Sequence, residues 1–379
     1  MEPIDGDDER MLVTLLWRGD HTTKGVALRS GLCGFRMPLM TPLPDSDVWY
    51  ASFPAAPDTR TTYQFLPDPP FETGSGGVSG DDYVALVLHD GWTADPRNEK
   101  HFDPGAGSNI QSVLEMPRAA PQHWIEMREV PHGRIEPHRF DSEALGNARV
   151  VWTYTPPGFD DTAPAYPLVL LFDGYAYLQM SIHHTLDNLI ATGRIPPIIC
   201  AMVHQLDRNV ELSCNEAFAA AMAKELCSAW LPQRYNTTLD PARTVVGGIS
   251  LGGLGAAFCG FRHSDRFGHV ISQSGPYWWG PGAPTPASVD NPDVHWDWMI
   301  DQYGDSGLLP LRWYLDVGSL EVSSLPGIEV DMVASNRRLR DTLRAKGYPV
   351  QYAEFPGGHD YVCWRGTIAD ALIATLGRR

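Results

Sequence analysis

Long apolar runs and an excess of basic residues are both missing from this 379-residue chain. No stretch approaches the ~20 consecutive apolar residues that a membrane-spanning helix needs, so we expect no span. Lys and Arg number 29 against 46 Asp and Glu, which gives a formal net charge of −17. Nonspecific nucleic-acid binding requires a basic surface, and an anionic membrane repels an acidic one. We therefore expect neither a nucleic-acid nor a membrane partner.

Cysteine is sparse, and no C-x-x-C pair occurs. The acidic first ten residues lack a basic segment followed by an apolar one, so we expect no secretory signal. Scattered cysteines in a chain of this size are typical of free, buried thiols in a reducing compartment, which favours a cytoplasmic protein. The histidine spacing predicts no metal site in the protein. The six cysteines are Cys33, Cys200, Cys214, Cys227, Cys259 and Cys363.

Two patterns divide the chain. Up to about residue 115, short β-like runs alternate with turn-rich segments and no amphipathic helix is evident, which predicts an immunoglobulin-like β-sandwich over 1–115. From about residue 120, apolar strands alternate with helices, which predicts an α/β domain over 120–379 with a doubly wound, mostly parallel sheet. The expected N-terminal strands are 11–17, 48–53, 61–65 and 83–88. The later ones are 148–154, 167–172, 198–203, 244–248, 311–317 and 350–355, and the helices 215–230, 330–346 and 364–376.

The strongest local motif is G-x-S-x-G at residues 248–252, between an apolar strand and a helix of small residues. That context is the nucleophile elbow of α/β hydrolases, in which a strained turn projects the serine above the sheet. Ser250 is therefore the predicted nucleophile. The N–H of Leu251, at a helix N-terminus, is a predicted oxyanion donor.

A nucleophilic serine requires a base, and α/β hydrolases supply its partners in the chain order Ser, acid, His. His359 follows a strand on a Gly-rich loop just before the last helix, the position expected for the base. Glu321, beyond a strand end, and Asp316, within that strand, are both candidates for the acid; the position of Glu321 favours it. A Ser–His dyad without an acid is the alternative.

The second oxyanion donor usually comes from the loop that follows an earlier core strand. Here the apolar run 167–172 leads into Asp173 and then Gly174 and Tyr175. We expect the N–H of Gly174 or of Tyr175 to point at the same oxygen as that of Leu251.

Several longer segments resemble the enterochelin (ferric-enterobactin) esterase family. The resemblance extends over 207–366, and D-P-x-N at 95–98 matches the end of that family's N-terminal β-sandwich. The G-x-x-E that ends at Glu321 resembles the family's acid loop and supports Glu321 over Asp316. The matching segments are D-R…E-L-x-C-N…F at 207–218, R-T-V-V…G-I-S-L-G-G-L at 243–254, R-F-G…S-Q-S-G-x-Y-W-W at 266–279 and G-G-H-D-x-x-C-W-R-G at 357–366.

The resemblance implies a cytoplasmic serine esterase that cleaves the trilactone of a catecholate siderophore such as enterobactin, with no cofactor and with iron only as part of the substrate. Guanidinium groups suit catecholate oxygens, and flat aromatic faces suit catechol rings. The cationic candidates are Arg208, Arg365 and Arg194, and the aromatic ones are Tyr277, Trp278 and Trp279. The competing interpretation is structural, with Arg208 and Arg365 in ion pairs with Asp207, Glu211 or Asp360, and the Trp pair in the core.

Three other functions fit parts of the pattern. A feruloyl or other carbohydrate esterase shares the fold and often carries a β-sandwich. An acyltransferase uses the same triad with an alcohol in place of water. A siderophore-binding protein that no longer hydrolyses needs no complete Ser/Glu/His set. The sequence leaves the particular siderophore and the oligomeric state open.

Overall fold

A computed structural model describes residues 1–70, 86, 89–105, 110–282, 295–325 and 328–377, with side chains outside 323–330. Strands before residue 116 form two four-stranded antiparallel sheets. In spatial order, the first contains β1 (Glu2–Ile4), β2 (Asp7–Arg18), β5 (Val48–Ala55) and β4 (Thr41–Pro42). The second contains β3 (Val26–Ser30), β6 (Arg60–Pro67), β8 (Gln111–Glu115) and β7 (His101–Phe102).

The two sheets share one apolar core. Alternate residues of β2, such as Val13 and Leu15, are buried with Val26 and Leu28 of β3 and Phe65 of β6. Alternation of inward and outward side chains is what packs two sheets face to face. The predicted β-sandwich is confirmed.

The remainder of the chain is built on an eight-stranded, mostly parallel sheet. Only the pairs that β10 makes with β9 and with β12 are antiparallel. The spatial order is β18 (Val350–Phe355), β15 (Arg312–Gly318), β14 (His269–Gln273), β13 (Thr244–Ile249), β11 (Leu168–Leu171), β12 (Ile199–Val203), β10 (Asn147–Thr155) and β9 (Arg134–Ser142). A separate hairpin pairs β16 (Val322–Leu325) with β17 (Ile328–Asp331).

Helices cover this sheet and enclose apolar cores against it. They are α1 (Gly174–Gln179), α2 (Ile182–Ala191), α3 (Arg208–Leu212), α4 (Glu216–Ala220, continued by a π-helix over Ala221–Trp230), α5 (Pro232–Tyr235), α6 (Leu251–Arg262), α7 (Trp298–Asp305), α8 (Met332–Ala345) and α9 (Tyr361–Leu376). The predicted α/β-hydrolase fold is therefore confirmed. No helix in the described part of the chain has the length and apolar character to cross a membrane.

Most predicted elements are present within one or two residues of their expected bounds, except that 83–88 lies outside the described residues apart from Leu86, which is helical. The expected elements did not include β1, β3, β4, β7, β8, β9 or the β16–β17 hairpin, nor the helices α1, α2, α3, α5 and α7. The strands of the two regions pair within separate sheets. We therefore propose residues 1–115 and 120–379 as two domains.

Glycines let α6 lie close against the sheet. A Cβ at Gly253 would lie 2.5 Å from Ser272 Oγ, and one at Gly260 would lie 2.5 Å from Val270 Cγ2 of β14. Neither position has room for a side chain. This close packing fixes the N-terminus of α6, and with it the residue that precedes the helix.

Candidate active site

Ser250 forms the turn between β13 and α6. Its φ of 51° and ψ of −125° put the backbone in a conformation that a serine rarely adopts. The turn is held because the Ser250 N–H donates to the Gln273 carbonyl at 2.8 Å. A Cβ at Gly248 would lie 2.4 Å from the Gly252 carbonyl carbon, so the motif requires glycine there. The strained turn of a nucleophile elbow is thus present at the predicted serine.

His359 faces Ser250 from the loop between β18 and α9. Its Nε2 lies 2.9 Å from Ser250 Oγ, within hydrogen-bond reach. The imidazole ring meets Trp364 edge to face, with centroids 4.7 Å apart, and Phe35 of the N-terminal sandwich lies 5.3 Å away on the same measure. These two aromatic contacts restrict the rotation of the ring.

Glu321 binds the other side of the imidazole. Its Oε2 lies 2.7 Å from His359 Nδ1, and the side chain is fully buried. Its Oε1 accepts hydrogen bonds from Ser274 Oγ at 2.6 Å and from the Gly318 N–H at 2.7 Å. Both oxygens therefore have partners, as a buried carboxylate requires. Ser250, His359 and Glu321 have the arrangement of a catalytic triad.

Asp316, the alternative acid, lies in a different environment. It is fully buried within β15, and burial, with the nearby Glu321 and Asp370 carboxylates, raises its pKa well above the usual value. The two ring nitrogens of His359 bond to Glu321 and Ser250, and Asp316 makes no hydrogen bond to this residue. A carboxyl that stays protonated supplies no charge to stabilise an imidazolium. The geometry favours Glu321.

Asp316→Asn is expected to stabilise the fold at neutral and alkaline pH. The pKa of Asp316 in the folded protein lies above the unfolded value of about 3.9. The wild type therefore loses stability as the pH rises from the unfolded pKa to the folded pKa. The amide of the variant carries no titrating proton, so its gain in melting temperature over the wild type grows with pH and disappears below the unfolded pKa. Thermal unfolding followed by circular dichroism across this range measures it. Asp58→Asn, at an exposed position, is the control, and a difference that is independent of pH would contradict the prediction.

The predicted oxyanion donors occupy two helix N-termini. Leu251 begins α6, while Gly174 and Tyr175 begin α1, and the first N–H groups of a helix have no partner within the helix. Both helices start at the carboxyl ends of neighbouring strands, β13 and β11. Their role as an oxyanion hole stays a prediction.

Arg208 is bound to a residue that sequence reasoning did not pair with it. Its Nε and Nη2 donate to the two oxygens of Asp173 at 2.6 and 2.8 Å, and 42% of its side chain is exposed. The expected alternative partners are engaged elsewhere, since Asp207 caps α3 and Glu211 binds Arg149. Arg208 thus neutralises a carboxylate at the start of α1 while part of its guanidinium remains open to a ligand.

The other two arginines lie in different surroundings. Arg365 Nε donates to Gln122 at 3.0 Å, and the guanidinium lies over the Phe102 ring. Asp360 is bonded to Thr61 instead of to Arg365. The expectation for Arg194 is wrong, because this residue precedes β12 and so lies at the amino ends of the parallel strands, opposite Ser250.

The aromatic candidates differ in accessibility. Tyr277 is fully buried, and its hydroxyl donates to Ser272 Oγ at 2.7 Å, so the expectation that it offers a face to substrate is wrong. Trp278 and Trp279 are half-buried. The Trp278 indole donates to Met332 Sδ, and Trp279 packs edge-on against Trp298. Binding of catechol rings by this pair stays a prediction.

Two supporting residues were not singled out from the sequence. Ser274 donates to Glu321, and it accepts from the Trp364 indole N–H at 2.9 Å. Both lie within matched family segments, S-Q-S-G and C-W-R-G, which was the available signal. Phe35 carried no such signal, because its contact with His359 joins distant parts of the chain.

The described residues contain no group of three or more His, Cys, Asp or Glu side chains arranged to hold a metal ion. The chemistry that the site offers is nucleophilic attack by an activated serine at an ester carbonyl.

Comparison with known proteins agrees with the geometry. The family described as "Putative esterase" matches residues 142–375, and that described as "Enterochelin esterase, N-terminal" matches residues 12–125. The fold and these matches define the protein as a carboxylic ester hydrolase of the α/β-hydrolase class.

An iron(III) enterobactin esterase of Dickeya dadantii (strain 3937) is 30% identical over 356 residues, 87% of this chain and 77% of that protein. The chain belongs to the iron(III) enterobactin esterase family. The ferric enterobactin esterase structure from Salmonella typhimurium matches with a TM-score of 0.80 at 28% identity, covering 98% of this chain and 95% of that one. The Shigella flexneri enzyme, crystallised in the presence of enterobactin, gives 0.78 at 28% identity, with 97% and 93% covered.

Proposed function

We propose that this protein hydrolyses the ester bonds of a catecholate siderophore trilactone such as enterobactin. The observation that carries the proposal is the hydrogen-bonded Ser250–His359–Glu321 arrangement in a chain of this family. The iron is part of the substrate. Cutting the lactone ring weakens chelation, which releases iron, and the six free cysteines support action in a reducing cytoplasm.

His359 Nε2 takes the Ser250 proton while Oγ attacks a lactone carbonyl and forms a tetrahedral intermediate. The N–H groups of Leu251 and of Gly174 or Tyr175 donate to the oxyanion. Glu321 holds the Nδ1–H tautomer and stabilises the imidazolium. As the intermediate collapses and its bond to the scaffold serine oxygen breaks, the imidazolium protonates that leaving oxygen to give a hydroxyl. Water, deprotonated by His359, attacks the acyl-enzyme, and the liberated Ser250 oxygen regains its proton.

Substrate charge suits the surroundings of Arg208. A ferric tris-catecholate is anionic, and the net charge of −17 gives it no long-range attraction to the protein. The exposed part of Arg208 supplies a local donor, and its bond to Asp173 fixes the guanidinium plane. Trp278 and Trp279 are the proposed ring-stacking residues, and Arg365 is a second proposed cation.

The direct test is incubation of the purified protein with ferric enterobactin and with its iron-free form, followed by mass analysis. Linear trimer, dimer or monomer that requires Ser250 supports the proposal and shows how many esters are cut. Cleavage of feruloyl sugars alone would favour a carbohydrate esterase. Ester transfer to an added alcohol in preference to water would favour an acyltransferase.

A further inference from the structure

The loop that carries His359 is bound by the N-terminal sandwich. The N–H of Arg60, the first residue of β6, donates to the Pro356 carbonyl at 2.9 Å. Arg60 also forms a parallel bridge with Gly357, and Cys363 Sγ donates to the Arg60 carbonyl. The first residue of β6 therefore pairs with residues 356 and 357, which lie in the other proposed domain just before His359.

On the other side of His359, Asp360 is held by the next two residues of β6. Thr61 Oγ1 donates to Asp360 Oδ2 at 2.6 Å, and the Thr62 N–H donates to the same oxygen at 3.1 Å. Asp360 Oδ1 accepts from the Cys363 N–H and so caps α9. One carboxylate thus joins the sandwich, the His359 loop and the last helix.

Two glycines bring the backbones of the domains together at this point. A Cβ at Gly31 would lie 2.0 Å from Thr61 Oγ1 and 3.1 Å from Gly358 Cα. A Cβ at Gly358 would lie 2.7 Å from Gly31 Cα. Thr61 itself is fully buried in this contact. The sandwich therefore packs directly against the His359 loop at this point.

We propose that Thr61 and Asp360 are positioning residues, through which the N-terminal sandwich holds His359 at hydrogen-bond distance from Ser250. The inference rests on the proposed roles of Ser250 and His359. Gly357 and Gly358 precede the histidine, and glycine gives a loop wide conformational freedom. The conformation of this loop is thus fixed by its contacts with β6 and with the residues around Gly31.

Thr61→Val removes the hydroxyl and keeps the side-chain shape. For a small activated ester such as p-nitrophenyl butyrate we expect kcat to fall about 10- to 100-fold, because a displaced base costs rate at the chemical step. KM should stay near the wild-type value, because Thr61 is fully buried and so is closed to the substrate. Thr61→Ser should restore kcat. Thr14→Val is the matched control, since Thr14 shares a hydroxyl bond with Ser52 on the other sheet of the sandwich.

Gly31→Ala is a second variant, whose Cβ would lie 2.0 Å from Thr61 Oγ1 and 3.1 Å from Gly358 Cα. It is expected to displace the Thr61 hydroxyl from Asp360 and to lower kcat in the same way. The rate of inactivation by a fluorophosphonate reports the reactivity of Ser250 without substrate recognition and should fall in parallel. Circular dichroism gives the folded fraction for normalising all rates. Wild-type kcat per folded molecule in both variants, with Ser250→Ala inactive, overturns the inference alone. An active Ser250→Ala overturns the proposed function as well.

Discussion

Ser250→Ala is expected to lower kcat for siderophore ester cleavage by about four to six orders of magnitude, because the acyl-enzyme cannot form without the Ser250 oxygen. The variant should fold as the wild type does, since alanine only removes the Oγ that bonds His359 Nε2 at 2.9 Å. Mass analysis of products over time gives the rate. Quenching of tryptophan fluorescence by the ferric siderophore should persist, which separates binding from turnover.

Ser228→Ala is the matched control for this substitution. The Ser228 hydroxyl donates to the Ala223 carbonyl within the π-helical segment, so its loss removes a serine hydroxyl from outside the site. Activity should remain at the wild-type level. Cleavage by Ser250→Ala at a rate close to that of the control would contradict the nucleophile assignment.

Glu321→Gln is expected to lower kcat by about three to four orders of magnitude, because a neutral amide neither stabilises the imidazolium nor fixes the Nδ1–H tautomer. Gln is close to Glu in size, so the change tests charge and hydrogen bonding more than packing. The same ester assay measures the loss, and fluorophosphonate labelling of Ser250 should slow with it.

Asp316→Asn provides the comparison for Glu321→Gln within the same strand and loop. It removes a carboxyl that has no bond to His359 and should leave kcat near the wild-type value. Equal losses in the two variants would contradict the assignment of Glu321 as the acid.

The local chemistry of the site was predictable because each triad member follows a strand of a parallel sheet. The carboxyl ends of such strands meet at one edge, so Ser250, Glu321 and His359 converge although they are distant in sequence. The position of Glu321 beyond the strand end favoured it over Asp316, and the 2.7 Å contact between Glu321 Oε2 and His359 Nδ1 agrees with that choice.

Long-range contacts limited the rest of the prediction. Asp173 binds Arg208 across 35 positions, and Thr61 binds Asp360 across 299, so no local pattern marks either pair. Tyr277 adjoins two half-buried tryptophans in the same motif, yet its ring is turned inward to Ser272. The residue types of adjacent aromatic positions do not show which ring is buried and which is accessible.

The glycines of α6 also affect how the protein folds. Gly252, Gly253, Gly255 and Gly260 lie in this single twelve-residue helix, and each glycine weakens an isolated helix by roughly 1 kcal/mol relative to alanine. Such a segment has little tendency to become helical before β13 and β14 give it a surface to pack on. The elbow is thus expected to form late, together with the sheet, and recovery of esterase activity during refolding would report the last cooperative step.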